Sequence, residues 1–195
     1  FFLVTPTPEF YPLSLPDALP SQRAPVTHVP REEAVRQARE AARDAFNLLS
    51  GELAKAIADG GPVAAIPVCS GKAKPLVADV SAARKVGMVR LSDRPRNPEQ
   101  AAEGADLAAI ASFRETIKRG EPPQPVTDEM EDGSTGVRLP ITVSQPIGLQ
   151  CHGSESDIAA ETREAILAIY PDDKATGYRL NDLRGIWKII VSPEQ

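Results

Sequence analysis

Between residues 31 and 59 the apolar positions recur at three- and four-residue steps. Val35, Ala38, Ala42, Phe46, Leu49, Leu53 and Ile57 share one face of a helix. Glu32 and Glu33 fall in its first turn, where the helix dipole favours them. Gly60 and Gly61 should end it. A second helical pattern runs over 63–86 through Cys69, Ala73, Leu76 or Val77, and Val80, and Pro75 should kink it. Residues 103–119 are again helical through Leu107, Ile110, Phe113 and Ile117, with Gly120 as the stop.

Later in the chain the period shortens. Residues 88–92 predict a short strand. Residues 124–130 and 136–144 predict paired strands around Asp132-Gly133, a hairpin turn signal. Ser154 to Asp157 resembles a capping box opening a helix over 156–169, which Pro171 ends. Residues 184–192, with Ile186, Trp187, Ile189, Ile190 and Val191, predict the last strand. Arg94-Pro95-Arg96-Asn97-Pro98 reads as an ordered loop. Helices come first and strands mostly later, which predicts an α+β domain with an antiparallel sheet backed by helices. No internal repeat is visible.

Residues 1–30 break this patterning. Prolines at 6, 8, 12, 16, 20, 25 and 30 exclude a helix and read as an extended arm, a linker more readily than a strap. The domain therefore begins at residue 31 and runs to 195. Phe1 to Val4 reads either as the remnant of a signal or membrane anchor, or as an apolar tail. With 42% hydrophobic and 25% charged residues, the chain has the composition of a folding sequence. Its net charge of −5 and lack of a basic stripe argue against nucleic acid. No Ser-His-Asp set, phosphate loop or zinc spacing is present, which points away from an enzyme and from any evident small-molecule substrate.

The chemistry concentrates in Pro146-Ile147-Gly148-Leu149-Gln150-Cys151-His152-Gly153. A c-type haem is attached through Cys-x-x-Cys-His, two thioethers beside a histidine that ligates the iron. Here Gly148 stands at the first cysteine position, while Cys151 and His152 are in place. A lone Cys-His pair is a weak signal, and a buried cysteine beside an ordinary histidine is the plain alternative. Cys69 is the second cysteine of the chain, and a disulfide with Cys151 is the default thought for an exported protein.

Four stretches sharpen the reading. They are Ala65-Ile66-Pro67-Val68-Cys69, the run Arg90-Leu91-Ser92-Asp93-Arg94-Pro95-Arg96-Asn97-Pro98, the motif Leu149-Gln150-Cys151-His152-Gly153, and Tyr170-Pro171-Asp172-Asp173-Lys174-Ala175-Thr176-Gly177-Tyr178 followed by Asp182-Leu183-Arg184-Gly185. In these stretches the chain resembles a family of exported haem c proteins with a PAS-like fold. That family includes a cyanobacterial protein associated with photosystem II and periplasmic input domains of sensor kinases. The resemblance covers roughly residues 45–192 and excludes the arm.

The resemblance implies a PAS-like antiparallel sheet with a long N-terminal helix and flanking helices. It implies a six-coordinate iron with His152 on one side and Cys69 on the other. It also implies haem c held by a single thioether at Cys151, because Gly148 removes the other. An anionic thiolate ligand stabilises Fe(III) and lowers the reduction potential. If haem were lost, Cys69 and Cys151 would face a vacant pocket and pair. The joint presence of Cys69, Cys151 and His152 favours retained haem.

Around this core, Arg94, Arg96 and Arg90 suit pairing with haem propionates, with surface ion pairs as the plain alternative. His28, in the arm, reads as solvated, and Asp172-Asp173 as a solvated turn rather than a metal site. Asp182 and Arg184 are expected to pair. Tyr170, Tyr178 and Trp187 read as core, as does Met88, otherwise an alternative ligand. Three functions follow. The first is a haem redox carrier, alone or as a subunit of a membrane-associated respiratory or photosynthetic complex on the periplasmic or lumenal side, with a redox protein as its partner. The second is a haem-free structural subunit. The third is a haem-based redox or gas sensor.

Overall fold

Four alanines set the architecture. Ala34, Ala38, Ala41 and Ala45 lie along α1 (Arg31–Pro67) and are all but inaccessible to solvent. Their lack of bulk lets the helix lie close on one face of a four-stranded antiparallel sheet. The computed structural model describes residues 27–193. Its strands are β1 (Val86–Leu91), β2 (Val126–Glu129), β3 (Thr135–Thr142) and β4 (Leu183–Val191), in the order β1-β4-β3-β2. The α1 face of the sheet carries Val86, Val137, Leu139, Trp187, Ile189 and Val191. The opposite face receives α3 (Gly104–Lys118), which buries Ala109, Ile110 and Phe113 against Ile186 and Leu183. Burying a side chain such as Phe113 or Ile110 contributes roughly 1.5–3 kcal/mol. Helix α2 (Ala73–Arg84) joins α1 to β1. The short α4 (Leu149–His152) and α5 (Ala160–Ile169) fill the long connection from β3 to β4.

This is the expected α+β arrangement of an antiparallel sheet with a long N-terminal helix and flanking helices. Several local expectations change. The buried stripe of α1 lies beside the expected one, and Phe46 is exposed. Val35, Ala42 and Leu49 pack only at its margin. Gly60 and Gly61 do break the helix, Gly61 at φ 72°, but Pro62 restarts it as far as Pro67. The main irregularity of the second helix is a π-helical turn at Val68–Lys72, which holds Cys69. Pro75 is the third residue of α2, where a missing N–H costs no helical bond. The Ser154–Asp157 box forms, with the Ser154 N–H donating to Asp157 Oδ2 at 2.8 Å. It closes a turn ahead of α5 rather than capping it, because α5 starts after Ala159.

The arm as far as residue 26 lies outside the described residues. Its end is docked: the Val29 N–H donates to Gly133 O at 3.1 Å, and Thr135 Oγ1 donates to Val29 O at 3.0 Å. His28 is therefore half-buried by the β2–β3 turn rather than solvated. Its Nδ1 has no hydrogen-bond partner among the described residues.

One irregularity in the sheet positions the site. Ile141 pairs with Gly185 and Thr142 with Leu183, so Arg184 is the extra residue of a bulge. A bulge re-aims the side chain it carries. Next to it, a Cβ on Gly185 would fall on the Leu91 carbonyl oxygen and lie 3.3 Å from Ser92 Cβ. Gly185→Ala should therefore push β1 off β4 and cost about 2 kcal/mol, as overpacking does. Urea denaturation checks this, and an unchanged midpoint would show that the strands separate freely there.

Candidate functional site

The segment 146–152 is one short helical run, a 3₁₀ turn at Pro146–Gly148 leading into α4. Residues three and four apart on such a run share a face. Gly148 thus lies on the face of Cys151 and His152. The run ends at Gly153, where a Cβ would come 2.6 Å from both Leu149 O and Asp157 Cβ. Only glycine lets the chain turn there. From that point the backbone is tied to the last loop before β4. The Gly177 N–H donates to Gly153 O at 2.6 Å and the Tyr178 N–H to His152 O at 3.0 Å.

His152 is oriented by this loop. Its Nδ1 lies 2.7 Å from Ala175 O. A carbonyl only accepts, so Nδ1 carries the proton and Nε2 presents a lone pair. Burial, with Arg184 and Arg96 close by, holds the imidazole pKa well below 6.5. Tyr178 stands edge-on to the ring, with centroids 6.4 Å apart. A neutral imidazole with Nδ1 fixed by a carbonyl is the usual arrangement of a metal-ligating histidine.

The depressed pKa carries a sign. The unfolded chain takes a proton on this ring near pH 6.5, and the folded chain refuses it until well below. The stability contributed by neutral His152 is complete above 6.5 and declines as the pH falls beneath it, by at most about 1.4 kcal/mol per pH unit. Denaturation of the haem-free chain at about pH 7 and about pH 5 should show this slope, and His152→Gln should flatten it. An equal slope in the variant would place the proton elsewhere.

Both cysteines are free thiols in the same neighbourhood. Cys69, on the π-helical turn, is open to solvent, yet the protein packed around it pushes its thiol up, against the pull of Arg90, Arg96 and Arg184. Cys151 is half-buried and is also pushed up, by burial, with Arg96 opposing and Cys69 adding. Cys69 is thus near enough to act on the Cys151 thiol. Tyr170 belongs to the same surroundings, its phenol pushed up by burial and by Cys69.

The arginines divide into two kinds. Arg96 is consumed within the chain. It pairs with Asp173 at 3.0 Å in a site where both side chains are nearly inaccessible, and it also donates to Cys151 O. Asp173 in turn accepts from the Ala175 N–H at 2.8 Å, beside the carbonyl that orients His152. Asp173 is thus a buried structural carboxylate, not part of a solvated turn. Arg94 donates to the carbonyls of Lys174 and Thr176 and lies over Tyr178, 4.4 Å from the ring centroid. Arg94 and Arg96, expected to reach propionates, instead clamp the loop that orients His152.

Arg90 and Arg184 are different. Carboxylates pair with Arg96, Arg114 and Arg138, but none among the described residues pairs with Arg90 or Arg184. Arg184 is buried. It donates to Ser92 Oγ at 3.1 Å and leaves its Nε without a partner. Asp182 does not pair with it as expected, because its Oδ2 accepts from the Arg179 N–H. Arg90 lies over Trp187 at 5.9 Å. Tyr178 and Arg184 belong to this site although their residue types alone read as core and as an ion pair. Their only signal in the sequence is their place in the Tyr178 and Asp182-Leu183-Arg184-Gly185 stretches. Met88 packs at the edge of the α1 core and does not join it. Among the described residues no group of three or more His, Cys, Asp and Glu side chains is gathered closely enough to hold a metal ion by itself.

The donor set fits a haem. It offers one lone-pair nitrogen, two thiols and uncompensated cations, which match an iron, a vinyl group and carboxylates. Among the described residues no helix is long and apolar enough to cross a membrane. A family model described as Tll0287-like matches residues 24–192. The crystal structure of the cyanobacterial haem protein Tll0287 superposes with a TM-score of 0.57 at 22% identity, covering 86% of this chain and 99% of that one. No curated protein matches the sequence.

Proposed function

The chain belongs to the Tll0287-like family, and we propose on that footing that it is a haem-binding, non-enzymatic electron carrier. The observation that carries the proposal is the Nδ1 hydrogen bond of His152 to Ala175 O. It leaves a neutral Nε2 with a free lone pair, on the residue next to Cys151 and among the same arginines that act on Cys69. His152 would ligate the iron on one side and Cys69 on the other, with Cys151 forming a single thioether. The haem would supply one-electron redox chemistry.

The rest is the work of this chain. Asp173, Arg96 and Arg94 fix the loop and the Cys151 backbone so that His152 keeps one tautomer and one orientation. Burial keeps the imidazole unprotonated. Burial keeps the Cys69 thiol protonated against the pull of Arg90, Arg96 and Arg184, so its thiolate would form on ligation, with release of a proton. The resemblance to exported proteins supports a position for the chain on the periplasmic or lumenal side. It would serve there as a carrier or as a subunit of a membrane-associated redox complex.

Visible spectroscopy and denaturing mass spectrometry test the proposal. A Soret band, with a chain mass increased by one haem, is expected after expression with c-type maturation machinery. An absorbance spectrum without a Soret band would overturn it in favour of a haem-free structural subunit.

A further inference from the structure

Beside the His152 loop, Arg90 and Arg184 have no carboxylate partner among the described residues. Arg90 and Arg184 line one small cavity of about 10 Å³ together with Ser92, Pro95, Gln100 and Ile141. Arg184 is only 8% exposed and its Nε has no partner. A buried guanidinium without a paired carboxylate is costly, and Tyr178, 5.4 Å away, and the more distant Asp173 offset the cost only in part. The fold nevertheless builds this site deliberately. A bulge isolates Arg184 from β3, Gly185 lets the strand approach Leu91, and the Ser92 hydroxyl meets Arg184 Nη1. Asp173, the acid most felt by Arg184, is held by Arg96. The cavity is too small for a tetrapyrrole, and a buried guanidinium with an unpartnered Nε forms part of its wall.

We propose that Arg184, which the sequence does not single out for this, joins Arg90 as the carboxylate-binding pair of this chain and that the two take a propionate of the bound haem, a role for which Arg90 is expected together with Arg94 and Arg96. This rests on the haem reading above. Guanidinium donors match a carboxylate in charge and geometry. Arg90 reaches it from β1 and Arg184 from the β4 bulge, so the propionate would lock the two strands at the open end of the sheet. Arg94 and Arg96 keep their structural role behind it.

The test uses iron deuteroporphyrin, which lacks vinyl groups and so binds without thioether formation, and its dimethyl ester, which lacks the carboxylates. Each is titrated into the haem-free chain and followed in the Soret region. Wild type should prefer the diacid by at least about tenfold, the size expected of one charge-assisted contact. Arg90→Gln should reduce that preference, read as the ratio of diacid to ester affinity within the variant so that any change in Cys69 ligation cancels, to near unity. Arg90 makes no hydrogen bond among the described residues, so its loss should spare the fold. Arg184→Lys, which keeps the charge, should retain part of the preference.

Equal binding of diacid and ester by the wild type would overturn the propionate assignment and leave the haem reading standing. Stabilisation of the wild type by inorganic phosphate, without discrimination between the porphyrins, would also overturn it and make the pair a free oxyanion site. Binding of neither porphyrin would overturn the haem reading and this one with it.

Discussion

Replacing His152 with alanine should cost the chain its stable iron ligation, and Cys69→Ser should keep the haem but raise its reduction potential. The two variants separate because the ligands are held differently. His152 is fixed from behind by Ala175 O and from the side by Tyr178. Removing it discards a pre-oriented, neutral nitrogen, and even lesser losses of supporting contacts cost roughly 10–100-fold in metal affinity. His152→Ala should therefore lose at least about a hundredfold in retention of a non-covalent iron porphyrin. Added imidazole should restore part of it by filling the same space. Cys69 stands on a solvent-open π-helical turn and contributes charge more than position. Without the thiolate, Fe(III) loses its anionic partner, so the potential rises by a sizeable part of the roughly 0.8 V that axial ligands span. Redox titration of the matured protein checks this. A Cys69→Ser protein with the wild-type spectrum and potential would remove Cys69 from the iron. An unchanged spectrum in His152→Ala would remove His152.

The order of elements was open to reading from periodicity because each strong pattern lies on an element that buries one face. Helix α3 packs through Ile110 and Phe113, and β4 through Trp187 and Ile189, as their spacing indicates. Periodicity misjudged α1 because it favours large residues. The sheet instead selects the alanine stripe, where the helix can approach most closely, and leaves Phe46 outside. It also placed the break of the second helix at Pro75, since proline is a visible breaker. The actual π-turn arises around Pro67 and Gly71, and Pro75 falls harmlessly in a first turn.

The candidate site was legible in its chemistry and not in its wiring. Cys151, His152 and Cys69 stand out by type and context, and Arg96 acts on all three. Which arginine stays free depends on pairings across 77 or more positions, such as Arg96 with Asp173 and Arg94 with Lys174. It depends equally on a bulge that no local spacing announces. Four arginines of similar surroundings in sequence thus divide into two clamps and two unpaired cations.

Restoring a thiol at position 148 gives the sharpest check on how far the attachment site is intact. Gly148 has an ordinary helical backbone, φ −65° and ψ −24°, so a side chain adds no strain. A Cβ there would meet Val143 Cγ1 at 3.5 Å, an ordinary contact, and nothing closer. The 146–152 run places residue 148 one turn before Cys151, on the same face. Gly148→Cys, expressed with c-type maturation machinery, should therefore form a second thioether to the haem. The pyridine haemochrome α-band should move from the position for one thioether to that for two, and the yield of protein with covalently retained haem should rise several-fold. The folding stability of the haem-free chain should change little, within about 1 kcal/mol for an exchange in a helical turn of this kind. A variant that folds and stays haem-free, with its new thiol titratable or oxidised onto Cys69 or Cys151, would show that no vinyl group ever lies over this turn. The electron-carrier reading would then give way to the structural one.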